Sequence, residues 1–312
     1  MNFTFLGTGA GIPAKDRNVS AIAVSFPEYK GHIWLFDCGE ATQHQILSSP
    51  IKLSKINRIF ISHLHGDHIY GLPGLLGSRS FQGGSETLNI IGPKGLKDFI
   101  DVSLKVSSTH IKYPLHITEI EESSYIFDTE HFSIQIEPLE HGITSFGFRV
   151  VEKDQPGELL VDKLTEKGIM PGPIYKAIKT EKEVVLPNGE ILKISNFIGP
   201  NKKGRSFALI SDTRYCSSAK KLSEDVDLLI HEATFEEKLS NLAHDYYHST
   251  TSQAAQIAKA ANAAALILTH ISSRYLKSDN ERLLGEAKKL FLNTYLATDG
   301  WTYHLNRQPR SY

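Results

Sequence analysis

The sequence predicts an α/β fold whose strands deliver metal-type side chains at their ends. Three observations predict it. Continuous apolar runs such as Ile33-Trp34-Leu35-Phe36 and Ile59-Phe60-Ile61 read as strands covered on both faces. Helix signals fall between such runs, over 41–47 and again from Thr250, where Thr250-x-x-Gln253 has the form of a capping box, to about Ala261. One apolar run after another ends in His or Asp.

The densest of these ends is Ser62-His63-Leu64-His65-Gly66-Asp67-His68, which follows Arg58-Ile59-Phe60-Ile61. Three imidazoles and a carboxylate in one short stretch are the nitrogen and oxygen donors that a divalent transition metal takes, zinc above all. With Gly66 at the bend, His63 and His65 go to one side and Asp67 and His68 to the other, which suggests two ions. Cys38 and Cys216 are the only cysteines, so a Cys-rich structural zinc site is excluded.

At 312 residues the chain exceeds what one core comfortably holds, so the expectation is one large domain with an appendage, or two domains. The formal charge is −1, so a nucleic acid would have to be attracted by local basic patches and bound metal. Residues 1–7 lack the basic and apolar regions of a signal peptide, and no stretch approaches the roughly 20 apolar residues of a membrane span. Two cysteines far apart fit a reducing compartment. The expectation is a cytoplasmic protein without a membrane partner.

In chain order, the apolar strand over 3–6 runs into Gly7-Thr8-Gly9-Ala10-Gly11-Ile12-Pro13-Ala14-Lys15-Asp16-Arg17-Asn18. A dinucleotide-binding turn would need a helix next, and Pro13 followed by the strand-like 19–24 excludes it. The glycine amides with Lys15, Arg17 and Asn18 either cradle a phosphate or form a solvated turn. Asp37, at the end of the run 33–36, either orients a ligand His or caps the helix over 41–47. Cys38 reads as a small core residue. Phe81, near Arg79 in a Gly-flanked loop, either stacks on a base or plugs a loop.

Three later runs repeat the strand-end pattern, with Leu139-Glu140-His141, Ile210-Ser211-Asp212 and Leu268-Thr269-His270. With the first motif they supply enough donors for two zinc ions and a shared carboxylate. The run 226–230 ends in His231-Glu232. His248 stands just before the capping box, at a helix amino terminus suited to phosphate, and is a candidate proton donor. The helix field opposes its protonation unless Glu232 or a substrate phosphate compensates.

Between these strands, about 152–203 is an excursion. Its Pro/Gly-rich 168–175 is unsuited to a helix interior, and Pro187-Asn188-Gly189-Glu190 reads as a hairpin turn. Lys176, Lys179, Lys182, Lys193, Lys202, Lys203 and Arg205 outnumber the nearby carboxylates, so the segment is either solvated or an arm that grips a polyanion. The tail 307–312 is expected to fray. Two ions held by nitrogen and carboxylate imply hydrolysis of an acyl or phosphoryl group. The helix-end donor, the glycine loop and the basic arm favour a long anionic phosphodiester.

The pattern His63-x-His65-x-Asp67-His68 with His141, Asp212 and His270 resembles the metallo-β-lactamase superfamily. Within it the chain resembles the ribonuclease Z family end to end, most specifically in Pro13-Ala14-Lys15-Asp16-Arg17-Asn18, Phe36-Asp37-Cys38-Gly39-Glu40, Gly71-Leu72-Pro73-Gly74, His231-Glu232-Ala233-Thr234 and His248-Ser249-Thr250. The resemblance implies a four-layer αββα sandwich over 1–312 with a flexible tRNA-binding arm inserted at 152–203. It implies one Zn2+ on His63, His65 and His141, a second on Asp67, His68 and His270, and Asp212 between them. Cleavage would fall 3′ of the discriminator nucleotide of a precursor tRNA, leaving a 3′-hydroxyl on the tRNA and a 5′-phosphate on the trailer. Asp67 would accept a proton from the attacking water, and His248, supported by Glu232, would protonate the leaving oxygen. Pro13, Lys15, Arg17 and Asn18 would meet nucleotides beside the cut, and the assembly would be a homodimer. The alternative is another dinuclear-zinc phosphodiesterase or ester hydrolase of the same fold, for which no basic arm is needed.

Overall fold

The structure is a computed structural model, and it describes residues 1–172, 174–175, 183–185, 189 and 191–307. By contact density it divides into two compact units, one of 1–151 with 206–306 and a smaller one of Glu152–Arg205 with Arg307.

The larger unit is an αββα sandwich. Its first sheet contains β1 (Asn2–Gly7), β3 (Ala21–Phe26), β4 (His32–Phe36), β5 (Ile56–Phe60), β6 (Leu88–Pro93), β7 (Leu115–Ile120) and β18 (Thr302–His304), in the order β18-β1-β3-β4-β5-β6-β7. The second contains β8 (Tyr125–Asp128), β9 (Phe132–Leu139), β10 (Ser145–Glu152), β13 (Ser206–Ile210), β14 (Leu228–Glu232), β15 (Leu266–Thr269) and β17 (Thr294–Leu296), in the order β17-β15-β14-β13-β10-β9-β8. The strands that lead to site residues include parallel neighbours, β4 with β5 and β13 with β14 and β15, so their carboxyl ends lie along one edge of each sheet.

Period-two alternation assigns the apolar runs to two cores at once. Phe3, Phe5, Ile22, Val24, Trp34 and Phe36 face inward against Phe148, Phe207, Leu209 and Ile230 of the second sheet. Their neighbours Leu6, Ala21, Ala23, Ile33 and Leu35 face outward. There α1 (Thr42–Leu47), α3 (Leu72–Phe81) and α4 (Leu96–Val106) cover them with Ile46, Leu72, Leu75, Leu76 and Ile100. The outer face of the second sheet carries α6 (Ser217–Leu222), α8 (Thr251–Ala260) and α9 (Asn280–Lys288) through Leu222, Ala254, Ile257, Leu283 and Ala287. Both faces of the central strands are buried, which is why their runs look uniformly apolar instead of alternating with polar residues.

Between β1 and β3 the glycine-rich segment forms no helix. A two-residue strand β2 (Gly9–Ala10) pairs in parallel with β16 (Ile271–Ser272) and draws the loop to the residues after His270. Two glycines are fixed by close approach: a Cβ on Gly71 would lie 2.0 Å from the Gly39 carbonyl oxygen, and one on Gly39 would lie 2.2 Å from that of Asp67. The Asp37 and Gly71 segments are thereby pressed onto α2 (Gly66–Ile69). The short helix α7 (Ser240–Asp245) leads toward His248, and the capping box of Thr250 and Gln253 opens α8.

The smaller unit has its own apolar cluster of Leu164, Ile169, Val184, Leu192 and Phe197, with α5 (Val161–Glu166) and the antiparallel pair β11 (Glu183–Val185) and β12 (Ile191–Lys193). Gly189 has φ 83°, while Pro187, Asn188 and Glu190 of the expected turn, and Lys176, Lys179 and Lys182, lie outside the described residues. Arg205 donates to Glu152 through Nε at 2.9 Å and Nη2 at 3.0 Å. Arg307, expected to fray, also donates to Glu152, at 2.6 Å; 308–312 lie outside the described residues.

Candidate metal centre

The loop after β5 and the ends of β9, β13 and β15 bring seven side chains together. His63 Nε2 lies 3.1 Å from His65 Nδ1, which lies 3.2 Å from His141 Nε2. Asp212 Oδ2 lies 3.6 Å from His63 Nε2 and 3.9 Å from His141 Nε2. A second group shares that aspartate: His68 Nε2 is 3.4 Å from Asp67 Oδ2 and 3.6 Å from Asp212 Oδ2. His270 Nε2 is 3.4 Å from Asp67 Oδ2 and 3.3 Å from Asp212 Oδ1.

These spacings fit an ion in each group. A tetrahedral ion with ligands at about 2.0–2.1 Å sets its donors roughly 3.3 Å apart, close to the separations here. Buried His68 Nε2 and Asp212 Oδ1 have no hydrogen-bond partner among the described residues, although both point into the second group. Electrostatics agree. Burial opposes a charge on Asp212, yet His270, His68 and His63 hold its carboxyl well below the usual range. Burial likewise opposes a proton on His68, but Asp212, Asp37 and Asp67 outweigh it and raise the pKa well above the ordinary value. The carboxylates call for a positive charge between them, and a divalent cation would displace the proton. Burial, reinforced by His68, depresses the pKa of His63, leaving the neutral donor a metal requires.

Among the described residues, each imidazole of the two groups but His65 is held by its other nitrogen. His68 Nδ1 lies 2.8 Å from Asp37 Oδ2, so Asp37 orients a ligand; α1 begins after Ala41 with no side-chain cap. Asp37 also accepts from the Ser62 amide at 2.8 Å and hydroxyl at 2.9 Å. Ser62 Oγ contacts His63 Nδ1 at 2.9 Å and accepts from Ser211 Oγ at 2.9 Å, joining the tips of the two sheets. His141 Nδ1 donates to the Tyr247 carbonyl at 3.0 Å, and His270 Nδ1 lies 3.0 Å from Thr234 Oγ1. Asp37 and His270 have φ values of 58° and 57°, in the left-handed region that Asp and His adopt more readily than most residues.

His248 stands beside these groups, its Nδ1 3.1 Å from Glu232 Oε1 and 3.9 Å from Asp212 Oδ2. Fully buried Glu232 also accepts from the amides of Thr213, Ser249 and Thr234 and the Thr234 hydroxyl. Burial works against a charged His248, but Glu232 and then Asp212 outweigh it and push the pKa up to about 9. Glu232, His248 and His270 also lie close enough to hold an ion, though Glu232 is already saturated with donors.

In the glycine-rich loop Pro13 and Lys15 are exposed, and Asn18 Nδ2 donates to the Glu40 carbonyl at 2.8 Å. Arg17 departs from expectation. Its guanidinium is buried and donates to Thr8 Oγ1, the Ala297 carbonyl and Asn280 Oδ1 at 2.6, 2.7 and 3.0 Å. It holds the loop instead of presenting a phosphate donor, because the turn between Ala14 and Arg17 directs its side chain inward. Phe81 is the last residue of α3 and not part of a loop; it is 83% exposed, so it plugs nothing, and Arg79, two residues earlier, is buried over Tyr113 at 4.2 Å.

Gly11 and Asp299 add contacts that lie outside the strand-end pattern. The Gly11 amide donates to Asp67 Oδ2 at 2.8 Å, carrying the loop directly to the centre. Asp299 accepts from Thr8 Oγ1, the Asn18 amide and Gln45 Nε2 at 2.7, 2.6 and 2.9 Å, clamping the loop to α1. The signal for Asp299 was present, since it follows the apolar Tyr295-Leu296-Ala297 as the ligands follow their strands.

The chain is similar to several known proteins. The family described as Anti-Pycsar protein Apyc1 matches residues 1–148, and the Beta-lactamase superfamily domain matches residues 191–271. Ribonuclease Z of Bacillus thuringiensis (strain Al Hakam) is 55% identical over 307 residues, covering 98% of this chain and 100% of that protein. Ribonuclease Z of Bacillus cereus (strain G9842) is 57% identical over 299 residues, covering 96% of this chain and 97% of that one. The solved structure of human tRNase Z, short form, aligns with a TM-score of 0.71 at 32% identity, covering 98% of this chain and 100% of that one.

Proposed function

The chain belongs to the ribonuclease Z family, and from that premise we propose that it is a divalent-metal-dependent endoribonuclease that removes 3′ trailers from tRNA precursors. The observation that carries the reading is the pair of donor groups sharing Asp212, with the His248–Glu232 couple beside them. We assign His63, His65 and His141 to one zinc ion and Asp67, His68 and His270 to another. A bound ion supplies a Lewis acid that polarises a phosphoryl oxygen and acidifies water.

The protein's own groups supply orientation and proton traffic. The Asp67 carboxylate, fixed through Oδ2 by the Gly11 amide, accepts the proton of the attacking water. His248, kept protonated by Glu232, donates to the 3′ oxygen as its bond to phosphorus breaks. The tRNA keeps a 3′-hydroxyl and the trailer leaves with a 5′-phosphate. Lys15, Pro13 and Asn18 meet nucleotides next to the cut, with Arg17 as the brace behind them. Phe81 offers an exposed ring for a base.

Residues 152–203 form the tRNA-binding arm of a homodimer in this proposal, each arm serving the partner's centre. The exposed Met170, Val185 and Ile191 support a role in contact. Among the described residues no helix is long and apolar enough to cross a membrane, and we propose a cytoplasmic location. The test is cleavage of a 3′-extended tRNA precursor by the zinc-loaded protein, with the new ends identified. The expected ends are a 3′-hydroxyl and a 5′-phosphate at the discriminator; a 2′,3′-cyclic phosphate end, or activity after complete metal removal, would overturn the reading.

A further inference from the structure

We propose that a cavity at the opposite end of the first sheet from the metal centre binds a small anion with a flat ring, of the nucleoside monophosphate class. The cavity, of about 230 Å³, opens where β4 and β5 begin, whereas the site residues follow their far ends. Five residues from Arg58 to His63 correspond to roughly 16 Å of extended chain, so the two sites are separate.

Three features define the occupant. The Arg58 guanidinium lies 5.7 Å from the ring centres of both Trp34 and Phe127, half-buried, and makes no hydrogen bond or ion pair among the described residues. A cation withdrawn from water without a counter-charge is costly, and a guanidinium pairs best with a phosphate or carboxylate fork. Next along β5, Asn57 Oδ1 is a buried acceptor with no partner among the described residues, and it calls for an N–H or O–H donor. Opposite, Tyr29 stacks on His131 with ring centres 4.3 Å apart, and its ring meets Phe132 at 5.2 Å, giving an aromatic wall.

The ligand must therefore combine an anionic fork, a flat ring and a hydrogen-bond donor. A nucleotide carries all three, and the volume limits it to one unit. Lys30 lines the same cavity and adds positive charge. Glu130 is the one acidic side chain among the described lining residues, and it pairs with His131 at 3.7 Å. The proposal does not depend on what the metal centre cleaves.

Trp34 is a built-in reporter, because the chain has two tryptophans and Trp301→Phe leaves it alone. The metal-loaded Trp301→Phe protein is titrated with 5′-AMP, 5′-CMP and inorganic phosphate while Trp34 fluorescence is followed. Saturable quenching by a nucleotide is expected, with a midpoint at least tenfold weaker in Arg58→Gln and unchanged in Asp67→Ala. Precursor cleavage and Tm of Arg58→Gln should remain at the parent's level. If that variant loses its fold, Asn57→Ala takes its place with the same expected weakening. No saturable quenching at millimolar nucleotide, an unshifted midpoint in the folded variant, loss of quenching in Asp67→Ala, or phosphate alone matching the nucleotide would overturn the proposal.

Discussion

His68 Nδ1 and Asp37 Oδ2 are 2.8 Å apart, and the bond turns His68 Nε2 toward Asp67 and Asp212. Asp37→Ala removes that restraint while sparing every proposed ligand. The expected result is a fall of about 10- to 100-fold in metal affinity or cleavage rate, as for other residues that orient ligands. Metal content by mass spectrometry alongside precursor cleavage checks it, and a fully loaded, fully active variant would refute the role.

Arg17 and Lys15 should separate cleanly. Removing the buried Arg17 side chain orphans Thr8, Asn280 and the Ala297 carbonyl, so Arg17→Ala should lose roughly 2–4 kcal/mol of stability, visible as a lower Tm. Lys15 is exposed. Lys15→Ala should leave Tm within a degree or so while raising KM for precursor.

The pH profile tests the proton donor. Burial disfavours the charged form of His248, and Glu232 with Asp212 overrides it to give a pKa of about 9. A raised pKa keeps the donor protonated at neutral pH, and the rate declines as pH climbs through that value. Glu232→Gln withdraws the principal favourable charge, so the alkaline limb of kcat should move to lower pH by at least about one unit. An alkaline limb at the original pH in this variant would assign the titration to another group.

Deleting 152–203 separates the tRNA-processing reading from its rival. Val151 and Ser206 are paired across β10 and β13, so a short linker can bridge the gap. Metal content should persist while precursor affinity drops by about 100-fold or more at physiological salt, because the lost contacts are with phosphates. Undiminished cleavage would favour a small diester or ester as substrate.

The four-layer arrangement was legible only through the family resemblance, but the strands and the donors were legible in the residues for one reason. Strands buried on both faces stand out as apolar runs, and a His or Asp at the end of such a run, as at His141, Asp212 and His270, contrasts with it. What stayed hidden depends on side-chain direction in irregular backbone. Arg17 and Lys15 are two positions apart in one loop, yet one turns inward and the other outward, and neither periodicity nor composition encodes that. Asp37 fits two roles in the sequence because the helix start that decides between them is three-dimensional. Ser62, Gly11 and Asp299 act by bonds to segments far along the chain, which local patterns do not reveal.

His63, His65, Asp67, His68 and His141 precede the 152–203 segment, whereas Asp212 and His270 follow it. A polypeptide severed within that segment would yield two pieces, neither owning a full complement of donors. Co-expressed, they would form a split-protein pair in which retention of the ion reports that the pieces have found each other.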